Sequence, residues 1–126
     1  MFDHVSIGVR DIARAKRFYD AVLAPLGYVR LFTHDRAVGY GPPGARDEPF
    51  AVLKDAEYAK PPRQGGHVAF RAADRQAVDA FHAAALRHGA TDEGGPGLRP
   101  KYGAGYYAAF VRDPDGHRIE AVCHQE

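Results

Sequence analysis

The chain has little cysteine, little charge imbalance and no long apolar run, and each shortage closes off a class of protein. Cys123 is the only cysteine among 126 residues, so no intrachain disulfide can form. That composition agrees with a reducing compartment. Formal charge is only +1 and no basic cluster stands out, so a nucleic-acid partner is not expected. No apolar segment approaches the roughly 18 residues of a membrane span, so no membrane partner is expected either. The N-terminus runs directly into Phe2-Asp3-His4, without the basic and then apolar pattern of a secretory signal. The expectation is a cytoplasmic globular domain.

What the chain does contain is a histidine in the same setting twice. His4 lies in Asp3-His4-Val5-Ser6-Ile7 and His67 in Gly66-His67-Val68-Ala69-Phe70, 63 residues apart. At the same offset Asp11 matches Asp74, Phe18 matches Phe81, Ala21 matches Ala84 and Leu23 matches Leu86. Two copies of one unit are implied. Neither half can bury enough apolar surface alone, so the halves are expected to pack together or to exchange across a dimer.

The pattern within each half reads βαβββ. Residues 2–9 alternate like a strand, which puts His4, Ser6 and Gly8 on one face and Val5, Ile7 and Val9 on the other. Asp11 is placed to cap a helix whose apolar residues run from Ile12 to Leu26, ended by Pro25 and Gly27. Strands are predicted at 28–33, 37–40 and 50–53. Residues 55–66, with two prolines and two glycines, read as a linker between a first module (1–54) and a second (67–126). The second module repeats the order: strand 67–72, an Asp74 cap, a helix ending near Gly89, and strands at 106–111 and 118–122 joined by Asp113-Pro114-Asp115-Gly116. Residues 94–100 are rich in Gly and Pro and read as a loop. The fold class is α+β: two βαβββ modules forming a curved mixed sheet, concave on one side, with helices on the outside.

In the last strand Glu120 is flanked by Ile119 and Ala121. If those two face the helices, Glu120 faces the concave side, where alternation also puts His4 and His67. Two imidazoles and one carboxylate suit a divalent ion such as Zn, Fe(II), Mn, Co or Ni, leaving positions for water or substrate. Tyr106 and Tyr107 fall on opposite faces of their strand, and Tyr107 is taken as the one that reaches substrate. Ser6 shares the face of His4, and Lys101 belongs to a segment that can close over the site. Together, Ser6, Lys101 and Tyr107 are the expected substrate contacts. His34, His82, His88, His117 and His124 have no partner in the repeat and read as surface or helix-end residues. Cys123 reads as a small buried apolar residue.

These residues resemble the vicinal oxygen chelate superfamily, which includes glyoxalase I, bleomycin-resistance proteins, fosfomycin-resistance enzymes, methylmalonyl-CoA epimerase and extradiol dioxygenases. The resemblance spans almost the whole chain: Phe2-Asp3-His4-Val5, Arg17-Phe18-Tyr19 with Leu23, Gly66-His67-Val68-Ala69-Phe70, and Asp113 through Glu120. It implies that His4, His67 and Glu120 are metal ligands. It further implies a small oxygen-rich substrate chelated to the ion beside Glu120, in a glyoxalase-like lyase or isomerase, and that the chain is a homodimer; Tyr107, from its place in the strand, is the other residue expected to act on that substrate. One departure stands out. Glyoxalase I takes a Glu from the fourth strand of its first module, and here that strand is Phe50-Ala51-Val52-Leu53-Lys54. Glu48 is near but precedes Pro49. Two other readings stay open: a bleomycin-resistance-like protein that binds a ligand without chemistry, using Tyr28, Phe32, Tyr40, Phe50 and Tyr107, and a three-ligand dioxygenase or fosfomycin-type thiol transferase.

Overall fold

The computed structural model describes residues 1–57, 59–61 and 65–125. Part of the 55–66 segment read as a linker, Tyr58 and residues 62–64, lies outside the described residues, as does Glu126. The order of elements is β1 (Val5–Val9), α1 (Ile12–Leu23), β2 (Val29–His34), β3 (Ala37–Gly41), β4 (Phe50–Lys54), β5 (Val68–Arg71), α2 (Arg75–Arg87), β6 (Thr91–Leu98), β7 (Tyr106–Arg112) and β8 (Arg118–His124), with single 3-10 turns at Ala24–Leu26 and Pro100–Tyr102. None of the described helices is long and apolar enough to cross a membrane.

Both helices begin at the expected aspartates. Asp11 accepts from the Arg14 backbone N–H at 3.1 Å and Asp74 from that of Ala77 at 2.8 Å, satisfying donors that the first helical turn leaves free. At the other end of α1, Gly27 adopts φ of 86°, a left-handed conformation that only glycine takes without penalty, and its N–H caps Ala24.

Each module forms its own four-stranded mixed sheet, in the orders β1-β4-β3-β2 and β5-β8-β7-β6. The two registers correspond. Val5 pairs in parallel with Phe50 and Val68 with Ile119, so Ser6 stands beside Ala51 as Ala69 stands beside Glu120. The helix-facing sides make one core: Val9, Tyr19, Val22, Val52, Val78, Phe81, Ala109 and Val111 are all fully buried. Each large apolar side chain buried this way contributes about 1.5–3 kcal/mol.

The modules are tied by polar contacts as well. The Asp115 carboxylate accepts from the Arg10 backbone N–H at 3.1 Å and from the Arg14 guanidinium at 3.2 Å. His117, expected at the surface, is buried, and its Nε2 lies 2.6 Å from the Gly8 carbonyl. A carbonyl only accepts, so Nε2 carries the proton. The repeat hides this role because the first module has no equivalent of the Asp113–His117 turn.

Residues 94–98, expected in a loop, belong to β6. The strand survives three glycines and Pro96 because it is a sheet edge, where a missing N–H costs little, and because its pairing with β7 shifts register at Asp92/Gly94 and Gly94/Gly97. The glycines also leave room for Arg99: a Cβ on Gly97 would lie 3.1 Å from its Nη1.

Candidate metal and substrate site

The concave face of the second sheet gathers the candidate site residues. β8 directs Arg118 and Glu120 to one side and buries Ile119 and Ala121 on the other, as alternation requires. Across the parallel pairing, His67 precedes β5 and reaches over the same face. Its Nε2 lies 3.0 Å from Glu120 Oε1. Antiparallel pairing brings Tyr106 and Phe110 of β7 to this face too. The Tyr106 hydroxyl donates to Glu120 Oε2. Glu120 is therefore nearly sealed, at 1 % exposure, with both carboxylate oxygens engaged. Burial and the hydrogen bond to the Glu120 carboxylate push the Tyr106 phenol up to about 12, so it stays a donor across the physiological range.

Tyr107 sits on the opposite face. Its hydroxyl donates to Asp79 of α2 at 2.6 Å and the Arg75 guanidinium stacks over its ring. The structure thus gives Tyr106 the position that the sequence reading assigned to Tyr107. Tyr107 shares its parity with Ala109 and Val111, both fully buried, and that signal was present in the sequence. Lys101 is exposed on the 3-10 turn, with its ammonium over the Tyr102 ring. The other histidines hold local contacts: His82 with Asp92 at 3.0 Å, His88 with the Ala84 carbonyl at 2.8 Å, His34 against Phe32, and His124 edge-on to Tyr106. Cys123 is buried.

His4 is not part of the His67–Glu120 pair. Its Nδ1 lies 2.5 Å from Asp3, and this hydrogen bond raises its affinity for a proton. Among the described residues, no three His, Cys, Asp or Glu side chains gather into a metal-holding group within the chain. His4 leads into β1, and Ser6 follows it on the open face of the first sheet. The register places Ala51 where the second module has Glu120, and Gly39 where it has Phe110. The space above Gly39 is taken by the Phe32 ring and by Glu48, whose Cγ would lie 2.7 Å from a Cβ built there. The fourth strand of the first module thus offers no carboxylate at the position that Glu120 holds in the second.

The donor set nevertheless fits a divalent ion. Two ligands each about 2.1 Å from one metal stand about 3 Å from one another, and an imidazole nitrogen with a carboxylate oxygen is a common combination. The His67–Glu120 separation meets this requirement with no rearrangement.

Beside the pair lies a cavity of about 280 Å³, bordered by His67, Glu93, Tyr102, Phe110 and Arg118. A second, largely apolar cavity of about 310 Å³ opens where the modules meet, bordered by Val5, Tyr28, Tyr40, Phe50, Phe70 and Arg71.

A family model described as the Glyoxalase/Bleomycin resistance protein/Dioxygenase superfamily matches residues 1–121. The chain belongs to that superfamily. Within it, a solved glyoxalase/bleomycin resistance protein from Albidiferax ferrireducens is 35% identical, with 97% of this chain and 98% of that one covered and a TM-score of 0.80. The fold is shared with more distant structures. A putative glyoxalase from Bacillus halodurans is 24% identical (97% and 94% covered, TM-score 0.68). The fosfomycin resistance protein FosX from Mesorhizobium loti is 18% identical (99% and 92% covered, TM-score 0.69). No protein of curated function matches the chain. Superfamily membership therefore accounts for the paired βαβββ architecture and leaves the reaction to be argued from the site.

Proposed function

We propose that this protein is a metal-dependent, glyoxalase-like enzyme acting on a small oxygen-rich substrate, and that its metal site is completed between two copies of the chain. The observation that carries the proposal is the His67–Glu120 pair: two donors 3.0 Å apart, with the carboxylate buried and the imidazole bordering a cavity. A buried carboxylate needs a strong electrostatic partner, and a divalent ion supplies one.

The third ligand is His4 of a second copy. β1 and β5, the strands that the two histidines lead into, are both sheet edges whose outer side is unpaired among the described residues. Edges of this kind favour covering by another chain. Met1 and Phe2 are also exposed beside His4. A two-fold dimer that brings the β1 end of one copy to the β5 end of the other forms two equivalent sites, each with His67 and Glu120 from one chain and His4 from its partner.

When bound, the ion acts as a Lewis acid on the oxygens of the chelated substrate. The rest falls to the chain's own residues. Tyr106 holds Glu120 in orientation through its hydroxyl and keeps its proton at neutral pH. Phe110 and Tyr102 give the cavity an aromatic border. Ser6, two residues beyond His4 on the same face, would come with it from the second copy as a hydroxyl donor. With Ala51 in place of a fourth ligand, proton transfer falls to water or a side chain at the cavity. This set of three ligands favours an isomerase, lyase or thiol-transfer reaction that does not need a second carboxylate on the metal.

The second cavity favours one other reading, a ligand-sequestering protein without chemistry. Tyr28, Tyr40 and Phe50 do border that space, although Tyr40 and Phe50 also pack into the core. Metal stoichiometry on the purified chain and on His67→Ala separates the two readings. The enzyme reading expects close to one ion per chain in the wild type and little in the variant; negligible metal in both would contradict it.

A further inference from the structure

The cavity beside His67 is bordered by a guanidinium that makes no ion pair among the described residues. Several cations surround the concave face of the second sheet, and most are already engaged. Arg112 is paired with Glu93. Arg99 donates to the Gly95 carbonyl at 2.8 Å and lies 5.4 Å above the Phe110 ring. Lys101 sits 5.0 Å over Tyr102, outside the cavity. Arg118 is different. It is half-buried, it borders the cavity together with His67, Tyr102 and Phe110, and it makes no hydrogen bond or ion pair among the described residues.

Its placement is set by the strand. Arg118 is two residues before Glu120 in β8, so both side chains leave the same face, one strand repeat apart. A ligand that reached the His67–Glu120 pair would have its far end over Arg118. The guanidinium presents a planar fork of donors that matches the two oxygens of an oxyanion, and such charge-assisted pairs are among the stronger hydrogen bonds. Glu93, the acidic neighbour at this cavity, is committed to Arg112, so an incoming anion meets no free carboxylate there.

We infer that Arg118 is the anchor for an oxyanion group on the substrate, a carboxylate or a phosphonate, carried on a small molecule whose other end reaches the His67–Glu120 pair. The inference rests on the proposed function for the location of the reacting end. The anchoring itself is independent of metal. Phe110 and Tyr102 supply an apolar wall beside the anchor, so the body between the two ends is expected to be short and at least partly apolar.

The experiment is a titration followed by nuclear magnetic resonance on the full chain, as purified and again in chelator. The probes are benzoate, phenylphosphonate and the neutral isostere benzamide. At least one of the anions is expected to bind tenfold or more tightly than benzamide, with shifts at the Tyr106, Phe110 and Arg118 amides, in chelator as well as without it. The stronger of the two anions identifies the oxyanion. In Arg118→Gln the preference for the anion is expected to fall to within twofold of benzamide. Arg118→Lys keeps the charge and is expected to retain a reduced preference, which guards against misfolding of the glutamine variant. Equal binding of anions and benzamide to the wild type, or an unchanged preference in Arg118→Gln, overturns the inference. Loss of metal binding with the anion preference intact counts against the proposed metal site and leaves this anchor standing; the reverse pattern does the opposite.

Discussion

Tyr19, in the middle of α1, donates its hydroxyl to Asp113 Oδ2 at 2.6 Å, joining the first helix to the final turn of the second module. Both residues are buried. The other Asp113 oxygen accepts from the backbone N–H groups of Asp115 and His117, at 2.9 Å each. One carboxylate thus organises the turn and fastens it to the opposite module. Asp115 and His117, held in that turn, reach Arg10, Arg14 and Gly8.

Removing the hydroxyl should therefore weaken the union of the modules. Tyr19→Phe leaves a buried carboxylate oxygen without its donor, a loss of about 1–3 kcal/mol. The expected result in urea unfolding is a lower midpoint with an unchanged slope, since the surface exposed on unfolding stays the same. A midpoint equal to that of the wild type would show that the contact adds nothing to stability.

Asp113 also sets a pH dependence. Burial is the largest influence on it and raises its pKa above the ordinary value of 3.8, partly offset by the Tyr19 hydrogen bond. A carboxyl whose folded pKa exceeds its unfolded one binds its proton more tightly in the native state. Its contribution to stability is fully present below the unfolded value and is lost as pH rises through the folded value. Asp113→Asn has no such titration. The stability of the variant relative to the wild type should therefore increase between pH 3 and pH 6, measured by denaturation across that range. A constant difference would contradict the assignment.

The two adjacent tyrosines should separate cleanly. Tyr106 touches Glu120 and Tyr107 touches Asp79 on the helix side. Tyr106→Phe removes the partner that orients the carboxylate proposed to hold the metal, and such losses cost on the order of 10–100-fold in metal affinity or activity. Tyr107→Phe is expected to leave metal affinity unchanged and to lower stability by about 1 kcal/mol. Calorimetric titration of metal into each variant makes the comparison. Equal affinities in Tyr106→Phe and wild type would remove Tyr106 from the site.

Much of this was legible before the fold was known, and particular residues show why. The repeat, the Asp11 and Asp74 caps, Gly27 and the Asp113–Gly116 turn are local features, each with a short-range physical cause, and each appears where the sequence places it. Alternation around Ile119 and Ala121 likewise puts Glu120 on the concave side. What could not be read was anything decided by register between distant segments. Choosing Tyr106 over Tyr107 depends on which residue of β7 stands beside Glu120 of β8. The role of His117 depends on the Gly8 carbonyl arriving from the other module. Residues 94–98 look like a loop until β7 offers them a partner. Arg118 looks like one more surface cation until its neighbours prove to be engaged and it does not. The separation of His4 from His67 is of the same kind, because sequence similarity between two strands says nothing about whether one chain brings them together.

That separation is what the most direct experiment addresses. His4→Ala and Glu120→Ala chains are mixed under conditions that allow subunits to exchange, and bound metal is measured per chain. If each site takes His4 from one copy and His67 with Glu120 from the other, neither variant alone holds metal, but every mixed dimer regains one intact site. Random exchange should then restore about a quarter of wild-type occupancy. If the mixture holds no more metal than the separate variants, although the subunits have exchanged, the site is not shared between copies and the central claim fails.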